Sequence, residues 1–370
     1  MNSYTSVPFL DLGAAYLELK EEIEATIQEV LRSGRYVGGP IVADFEEKYA
    51  IATGAAHCIG VGNGLDALHL TLTALGIGPG DEVLVPSNTF IATWLAVSHC
   101  GATPIPVEPD PITYTIDPSK LEMAISSRTR AIIPVHLYGH PADLDPIITI
   151  AKRHGLTVVE DGAQAHGALY KGRPIGSHGN PVAWSFYPGK NLGAIGDGGA
   201  VTTDDPALQD RIRELGNYGS RKKYVHDRIG FNSRLDPVQA AILSIKLTHL
   251  ENWNKRRRRF AQLYREGLAH LSSLTLPSVA PWANPAWHLF VIRHPRRNEL
   301  KQYLDNAGIE TLIHYPTPPY QQNAYYNLYK TFHSTITDIQ ASQILSLPIG
   351  PHLSSEQVDY VISRIKKFTT

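Results

Sequence analysis

Gly80-Asp-Glu-Val-Leu-Val-Pro86-Ser87-Asn-Thr-Phe90-Ile-Ala-Thr-Trp-Leu-Ala-Val-Ser-His-Cys100-Gly-Ala-Thr-Pro-Ile-Pro-Val107 reads as a strand, a helix and a second strand. Glu82–Pro86 and Thr103–Val107 are short apolar runs, and Ile91–Cys100 between them has helical length. Two strands joined by a crossover helix lie parallel in one sheet. The same rhythm extends in both directions. Strand-like runs recur at Cys58–Val61, Arg130–Val135 and Leu156–Glu160, with helix-like segments at Leu65–Leu75, Pro118–Ser126 and Leu144–His154. This alternation predicts an α/β fold with a mostly parallel sheet covered on both faces.

Helical spacing also opens the chain, at Leu17, Leu19, Ile23, Ile27 and Leu31, and again from Val42 to Ala50. From Pro237 to about Leu271 the pattern becomes one long helix. The Pro-rich stretch Pro277–Pro285 and the run Leu289–Arg293 then suggest a smaller α+β unit. The expected division is 1–245 for the large domain and 246–370 for the small C-terminal one.

Composition narrows the function classes. The 370 residues carry a formal net charge of -1, which gives no bulk electrostatic reason to bind nucleic acid or an acidic membrane surface. The basic run Lys255–Arg259 falls within the long helix, where consecutive residues point in all directions, so it reads as a solvated helix surface. Only Cys58 and Cys100 occur, which favours a reducing compartment over a disulfide-stapled scaffold. The N-terminus lacks a signal-peptide pattern, and no run approaches the roughly 18–20 apolar residues of a membrane span. A soluble, cytoplasmic protein is expected. No H-E-x-x-H or C-x-x-C occurs, and Gly139 and Pro141 break any helical face shared by His136 and His140. No metal is expected.

Open α/β sheets bind ligands beyond the carboxyl ends of their strands. The polar residues there are Gly62-Asn63-Gly64, Ser87-Asn88, Asp161 and Ser185. The densest segment is Trp184-Ser-Phe-Tyr-Pro-Gly-Lys190-Asn-Leu-Gly193. A lysine desolvated in such a loop keeps a neutral amine, which attacks an aldehyde to form a Schiff base. Taken alone, such a lysine is more often an ordinary surface residue. Asp161 ends an apolar strand, where a carboxylate can keep the ring nitrogen of pyridoxal phosphate protonated. It can equally cap the following turn. The Gly62–Gly64 turn opens a helix whose first amides can cradle a phosphate, to which the Ser185 hydroxyl can add. It is neither a dinucleotide fingerprint, since Ala67 stands where glycine is needed, nor a Walker loop. Phe90 can stack on a planar ring or pack in the core.

Taken in order, the Gly-rich turn, S-N-T-F at 87–90, E-D-G-A-Q-A-H-G at 160–167, S-F-Y-P-G-K-N-L-G at 185–193 and G-F-N-S-R-L-D-P-V-Q-A-A at 230–241 resemble the DegT-type sugar aminotransferases. The resemblance runs from G-R-Y-V-G-G-P at 34–40 to I-H-Y-P at 313–316. It implies a fold-type I pyridoxal phosphate enzyme with a seven-stranded, mostly parallel sheet in its large domain. It also implies roles for individual residues. Lys190 would hold the cofactor covalently and shuttle the substrate proton. Asp161 would hold the ring-nitrogen proton, and Gln164 would bond the phenolic oxygen. The Gly64 and Leu65 amides and the Ser185 hydroxyl would grip the phosphate, and Phe90 would stack on the ring. Asn232 would reach the phosphate of a neighbouring subunit, which implies a homodimer with shared active sites.

Two positions depart from the family pattern: Gly162 stands for alanine, and Leu65 for threonine or serine. Leu65 loses a hydroxyl but keeps its backbone donor. Lys190 itself separates the chain from the family's dehydratases, which carry histidine there. The segments Tyr218–His226 and 313–322 resemble enzymes that aminate C3 of dTDP-3-keto-6-deoxyhexoses with L-glutamate as donor, giving a dTDP-3-amino-3,6-dideoxyhexose. On that resemblance His314 and Tyr315 would contact the sugar, and Tyr224 with its basic neighbours the pyrophosphate. The alternatives are amination at C4, a non-nucleotide cyclic ketone as substrate, or a non-catalytic regulatory protein of the same fold.

Overall fold

Each predicted strand from residue 57 onward forms, and the helices between them end on sequence signals that can be named. The computed structural model describes residues 6–369. Helix Pro40–Thr53 starts with proline at its first position and stops at Gly54, whose φ of 71° suits a left-handed cap. Leu144–His154 ends in the same way at Gly155. Asn63 caps helix Gly64–Ala74 by accepting the Asp66 N–H at 2.8 Å.

The sheet runs in the order His57–Val61, Gly199–Thr203, Val182–Ser185, residues 157–161, Thr129–Ile132, Glu82–Pro86 and Thr103–Val107. Residues 157–161 comprise two short pieces that join the halves: Thr157–Val158 pairs with Thr129–Ile132, and Glu160–Asp161 with Val182–Ser185. The Val159 N–H donates to the Ile132 carbonyl at 3.0 Å, and the Asp161 N–H to the Pro134 carbonyl at 2.9 Å. Counted as one strand, these pieces make a seven-stranded sheet in which Gly199–Thr203 alone runs antiparallel.

Burial on both faces explains the near-continuous apolar runs. Successive residues point to opposite faces. Ala183 and Val201 pack with Leu68, Trp94 and Ile212 on one side. Val182, Trp184 and Ala200 pack with Phe45, Tyr49 and Leu243 on the other.

Helix Pro237–Leu268 crosses from one core to another. Ala240, Leu243 and Leu250 pack with the sheet, whereas Phe260, Tyr264 and Leu268 pack with the C-terminal elements. Those elements include the antiparallel pair Phe290–Arg293 and Ile344–Leu347, flanked by helices Arg297–Asn306 and Ser355–Thr369. Among the described residues no helix is long and apolar enough to cross a membrane.

Three local expectations change. The first helical stretch breaks at Leu19 into Leu12–Glu18 and Lys20–Ser33, leaving Leu17 and Leu31 exposed while Leu19 and Ile23 are buried. Residues 118–126 form a 3-10 turn and the short helix Leu121–Ala124, because Ser126 turns back to hydrogen-bond Glu82. The basic run is not wholly a solvated surface. Arg257 is buried and donates to the carbonyls of Trp287, His288 and Ile349.

Candidate active site

Val61, Pro86, Asp161 and Ser185 end four mutually parallel strands at one sheet edge. That geometry alone brings the Gly62–Gly64 turn, the Ser87–Phe90 turn, Asp161 and the Lys190 loop together.

The lysine loop is held tightly. Lys190 N–H donates to the Tyr187 carbonyl and Ala194 N–H to the Phe186 carbonyl, each at 2.8 Å. A β carbon at Gly193 would fall 2.3 Å from the Pro188 carbonyl oxygen, so only glycine lets the loop close. From behind, the long helix supplies two polar anchors. Lys246 Nζ donates to the Gly193 carbonyl at 2.7 Å, and Asn191 Nδ2 donates to Asn254 Oδ1 at 2.9 Å and to the Ala286 carbonyl at 2.8 Å.

Burial depresses the Lys190 amine to a pKa of about 8, against the counter-pull of Asp161. The Asp161 carboxyl is pushed up by desolvation, although two hydrogen bonds and the Lys190 charge pull it back. Its Oδ2 accepts from the Thr93 hydroxyl at 2.9 Å and its Oδ1 from the Ala163 N–H at 3.1 Å. Nearby imidazoles are held neutral by burial and the field of Lys190: His166 falls to about 3, His314 to about 4, and His288 well below its usual value. A desolvated amine and a buried carboxylate thus lie within each other's field, with neutral rings around them.

Gln164 stands between the sheet edge and the C-terminal elements. Its Nε2 donates to the Tyr315 hydroxyl at 3.1 Å, and its Oε1 accepts the Tyr138 N–H at 2.5 Å. The Tyr138 hydroxyl in turn donates to the His314 carbonyl at 2.5 Å. Phe90 is 51% exposed, with its ring 5.1 Å from that of Tyr315. Gly162, one of the two departures from the family pattern, has a steric cause: a β carbon there would lie 2.7 Å from Val182 and 2.9 Å from the Trp184 ring.

The remaining wall is the start of helix Gly64–Ala74. Asn63 takes the Asp66 N–H with its side chain and the Ala67 N–H with its carbonyl. The orphan amides of this end are therefore those of Gly64 and Leu65. A β carbon at Gly64 would lie 2.6 Å from Ser185 Cβ. Gly64→Ala is expected to crowd this cradle and weaken retention of a phosphate-bearing cofactor about tenfold or more. Cofactor released on dialysis, read by absorbance, checks it.

Lys190, Asp161, Gln164, Phe90, His314 and Tyr315 are thus linked by contacts or by mutual fields, and Gly64 and Leu65 adjoin Ser185. Tyr224 and Asn232 stand apart. Tyr224 is 83% exposed under Lys223, and exposed Asn232 accepts from Arg234 Nη2 at 2.7 Å. Sequence reading missed Thr93, Tyr138, Lys246, Asn254 and His288. Thr93 alone left a signal, one helical turn after Phe90.

The donor set suits pyridoxal phosphate. Asp161 is a buried carboxylate whose two hydrogen-bond partners are both neutral, so it has room for a protonated ring nitrogen, and the glycine cradle suits a phosphate. Among the described residues no cluster could hold a metal ion.

Residues 17–366 match the DegT/DnrJ/EryC1/StrS aminotransferase family. The chain is 56% identical, over 97% of its length and 99% of the relative's, to the erythromycin biosynthesis sensory transduction protein EryC1 of Saccharopolyspora erythraea. It is 54% identical, over 98% and 96%, to the dTDP-3-amino-3,4,6-trideoxy-alpha-D-glucose transaminase of Streptomyces venezuelae. It is 50% identical, over 98% and 99%, to the dTDP-3-amino-3,6-dideoxy-alpha-D-galactopyranose transaminase of Aneurinibacillus thermoaerophilus. The crystal structure of S. venezuelae DesV in complex with a ketimine intermediate superposes with a TM-score of 0.97 at 53% identity, covering 99% of each chain.

Proposed function

The chain belongs to the DegT/DnrJ/EryC1/StrS aminotransferase family, and from that premise we propose that it transfers the amino group of L-glutamate to C3 of a dTDP-linked 3-keto-6-deoxyhexose. The cofactor in this reading is pyridoxal phosphate, and the working unit is a homodimer with shared sites. The observation that carries the reading is the pairing of a desolvated Lys190 amine with the buried Asp161 carboxylate at one sheet edge.

When bound, pyridoxal phosphate supplies an electron sink for the carbon that gains or loses the amine. The chain's own residues do the rest. Asp161 holds the proton on the ring nitrogen, and Thr93 and the Ala163 amide fix the direction of its carboxylate. Lys190, neutral over part of the physiological range, would take the proton from the donor's amino-bearing carbon and deliver it to the cofactor carbon that receives the amine. Gln164 Nε2 has a second N–H for the phenolic oxygen beyond the one given to Tyr315. The Gly64 and Leu65 amides and the Ser185 hydroxyl hold the phosphate, and Phe90 covers a ring face. His314 and Tyr315 meet the sugar. Tyr224, Lys222 and Lys223 meet the pyrophosphate, and Asn232 meets the phosphate of the neighbouring subunit's site.

Two dissimilar substrates using one pocket in turn give ping-pong kinetics. Adding L-glutamate to the loaded enzyme is expected to convert the lysine-linked absorption band to that of the amine form. A dTDP-3-keto-6-deoxyhexose should then restore the first band. Restoration by a 4-keto sugar or a non-nucleotide cyclic ketone instead would move the reading to those substrates. A protein whose spectrum ignores every amino donor would be a binding or regulatory protein, as the name of the EryC1 relative suggests for that protein.

A further inference from the structure

Residues 221–229 are nine consecutive exposed positions, so no buried apolar side chain anchors this stretch. It nevertheless closes on itself. Gly219 accepts the Asp227 N–H at 2.9 Å, and Lys222 accepts the Val225 N–H at 2.8 Å. A β carbon at Gly219 would fall on the Arg228 carbonyl, so the two ends of the loop touch. The loop is strongly cationic, with Arg221, Lys222, Lys223 and Arg228 against Asp227.

One acidic side chain lies beneath it. Glu214, in the last turn of helix Pro206–Gly216, is 4% exposed. Its Oε2 lies 3.2 Å from Arg221 Nη2 and 3.6 Å from Arg228 Nε. The Glu214 carbonyl also accepts the Gly219 N–H at 2.9 Å. The carboxylate therefore engages the arginines at both ends of the exposed stretch and leaves Lys222 and Lys223 between them. Lys223 Nζ stands 5.1 Å from the centre of the Tyr224 ring.

We infer that Glu214 is a positioning residue for the nucleotide-sugar half of the reaction: it pins the 217–230 loop through Arg221 and Arg228 so that Lys222 and Lys223 are presented together to a pyrophosphate. The inference rests on the nucleotide-sugar reading above. Its physical basis is preorganisation. A free loop of this length must be ordered when the ligand binds, whereas a pinned one has already lost that entropy. A buried carboxylate serves as the pin because it is costly to leave unpaired.

The test uses the cofactor-loaded enzyme. Glu214→Gln is expected to raise the Kd for dTDP about tenfold and to raise the KM for the nucleotide sugar in parallel. The glutamate half-reaction, which needs no pyrophosphate contact, should keep its wild-type rate. That split separates positioning from a loss of overall structure. Tryptic cleavage after Lys222 and Lys223 should also quicken. An unchanged dTDP Kd and an unchanged KM would overturn the inference. Lys222→Ala with Lys223→Ala tests the underlying reading. If that pair weakens dTDP binding while Glu214→Gln does not, the pin alone is wrong. If the lysine pair leaves dTDP binding at the wild-type level, the loop is not the pyrophosphate site and both ideas fall. Should Glu214→Gln fail to accumulate, Glu214→Asp keeps the charge but shortens the pin away from Arg221 and Arg228, with the same expectations.

Discussion

Lys190→Ala should lower transamination by about a thousandfold or more, because the variant loses both the covalent tether and the proton shuttle. General acid–base transfer by one positioned side chain commonly contributes about a hundredfold to ten-thousandfold. The tether adds to this by holding the cofactor in register before the donor arrives. The variant should still bind the cofactor through the phosphate cradle and Asp161, yet show no lysine-linked band. Lys190→Arg keeps a charge but cannot supply a neutral amine at any working pH, so it should fail in the same way. The pH dependence of loading is a second measurement on the wild type. Burial holds the Lys190 amine at about 8. Below that value the neutral fraction falls about tenfold per pH unit. Attachment of pyridoxal phosphate to cofactor-free enzyme should therefore slow by that factor per unit below pH 8 and level off above it. A rate flat from pH 6 to 9 would show that deprotonation of a buried amine near 8 does not limit attachment.

The parts of this site that were legible in the sequence share one property: they sit at strand ends. Asp161, Ser185 and the Gly62–Gly64 turn were found because a strand-terminal position has a predictable place in a parallel sheet. Lys190 was found because its loop leaves such an end and is crowded with small residues. Gln164 needed the family resemblance, since one polar residue three positions after Asp161 carries no local signal. Thr93 left the faint signal of standing one helical turn after Phe90, whereas Tyr138, Lys246 and Asn254 lie on other elements, and their roles arise only when tertiary packing places them. Lys246 and Asn254 sit on the long helix eight residues apart, a spacing that puts both on one face toward the lysine loop. In the sequence they look like ordinary solvent-facing positions of an amphipathic helix. Arg257 misled for the same reason, because a run of five basic residues gives no hint that one of them is buried among carbonyl groups. The break at Leu19 leaves no sequence signal because apolar spacing continues across it, and the φ of -118° and ψ of 19° there record the kink.

Asp161→Asn should separate stability from function, and the two effects should have opposite signs. In the cofactor-free protein, desolvation raises the Asp161 pKa. A carboxyl whose folded pKa is raised is at no disadvantage at low pH, where it is protonated in both states. It costs stability as pH rises through the folded value, because charge must then be held in a buried site. Asparagine avoids that charge and can keep both hydrogen bonds. Its Oδ1 accepts the Ala163 N–H, and its Nδ2 donates to the Thr93 hydroxyl, which can accept as readily as donate. Cofactor-free Asp161→Asn should therefore melt above wild type at neutral pH, with the gap closing as pH falls. Activity should move the other way. An amide cannot balance a positive ring nitrogen, so the electron sink weakens and the glutamate half-reaction should slow by about a hundredfold or more. Paired melting curves from pH 4 to 8 and single-turnover rates with glutamate test both signs. A variant less stable than wild type at every pH would mean that Asp161 serves the fold through its hydrogen bonds. A variant that keeps the wild-type rate would mean that its charge is not what the reaction uses. The expected pattern, a more stable but nearly inactive protein, is what a buried charge kept for catalysis at the expense of the empty fold should produce.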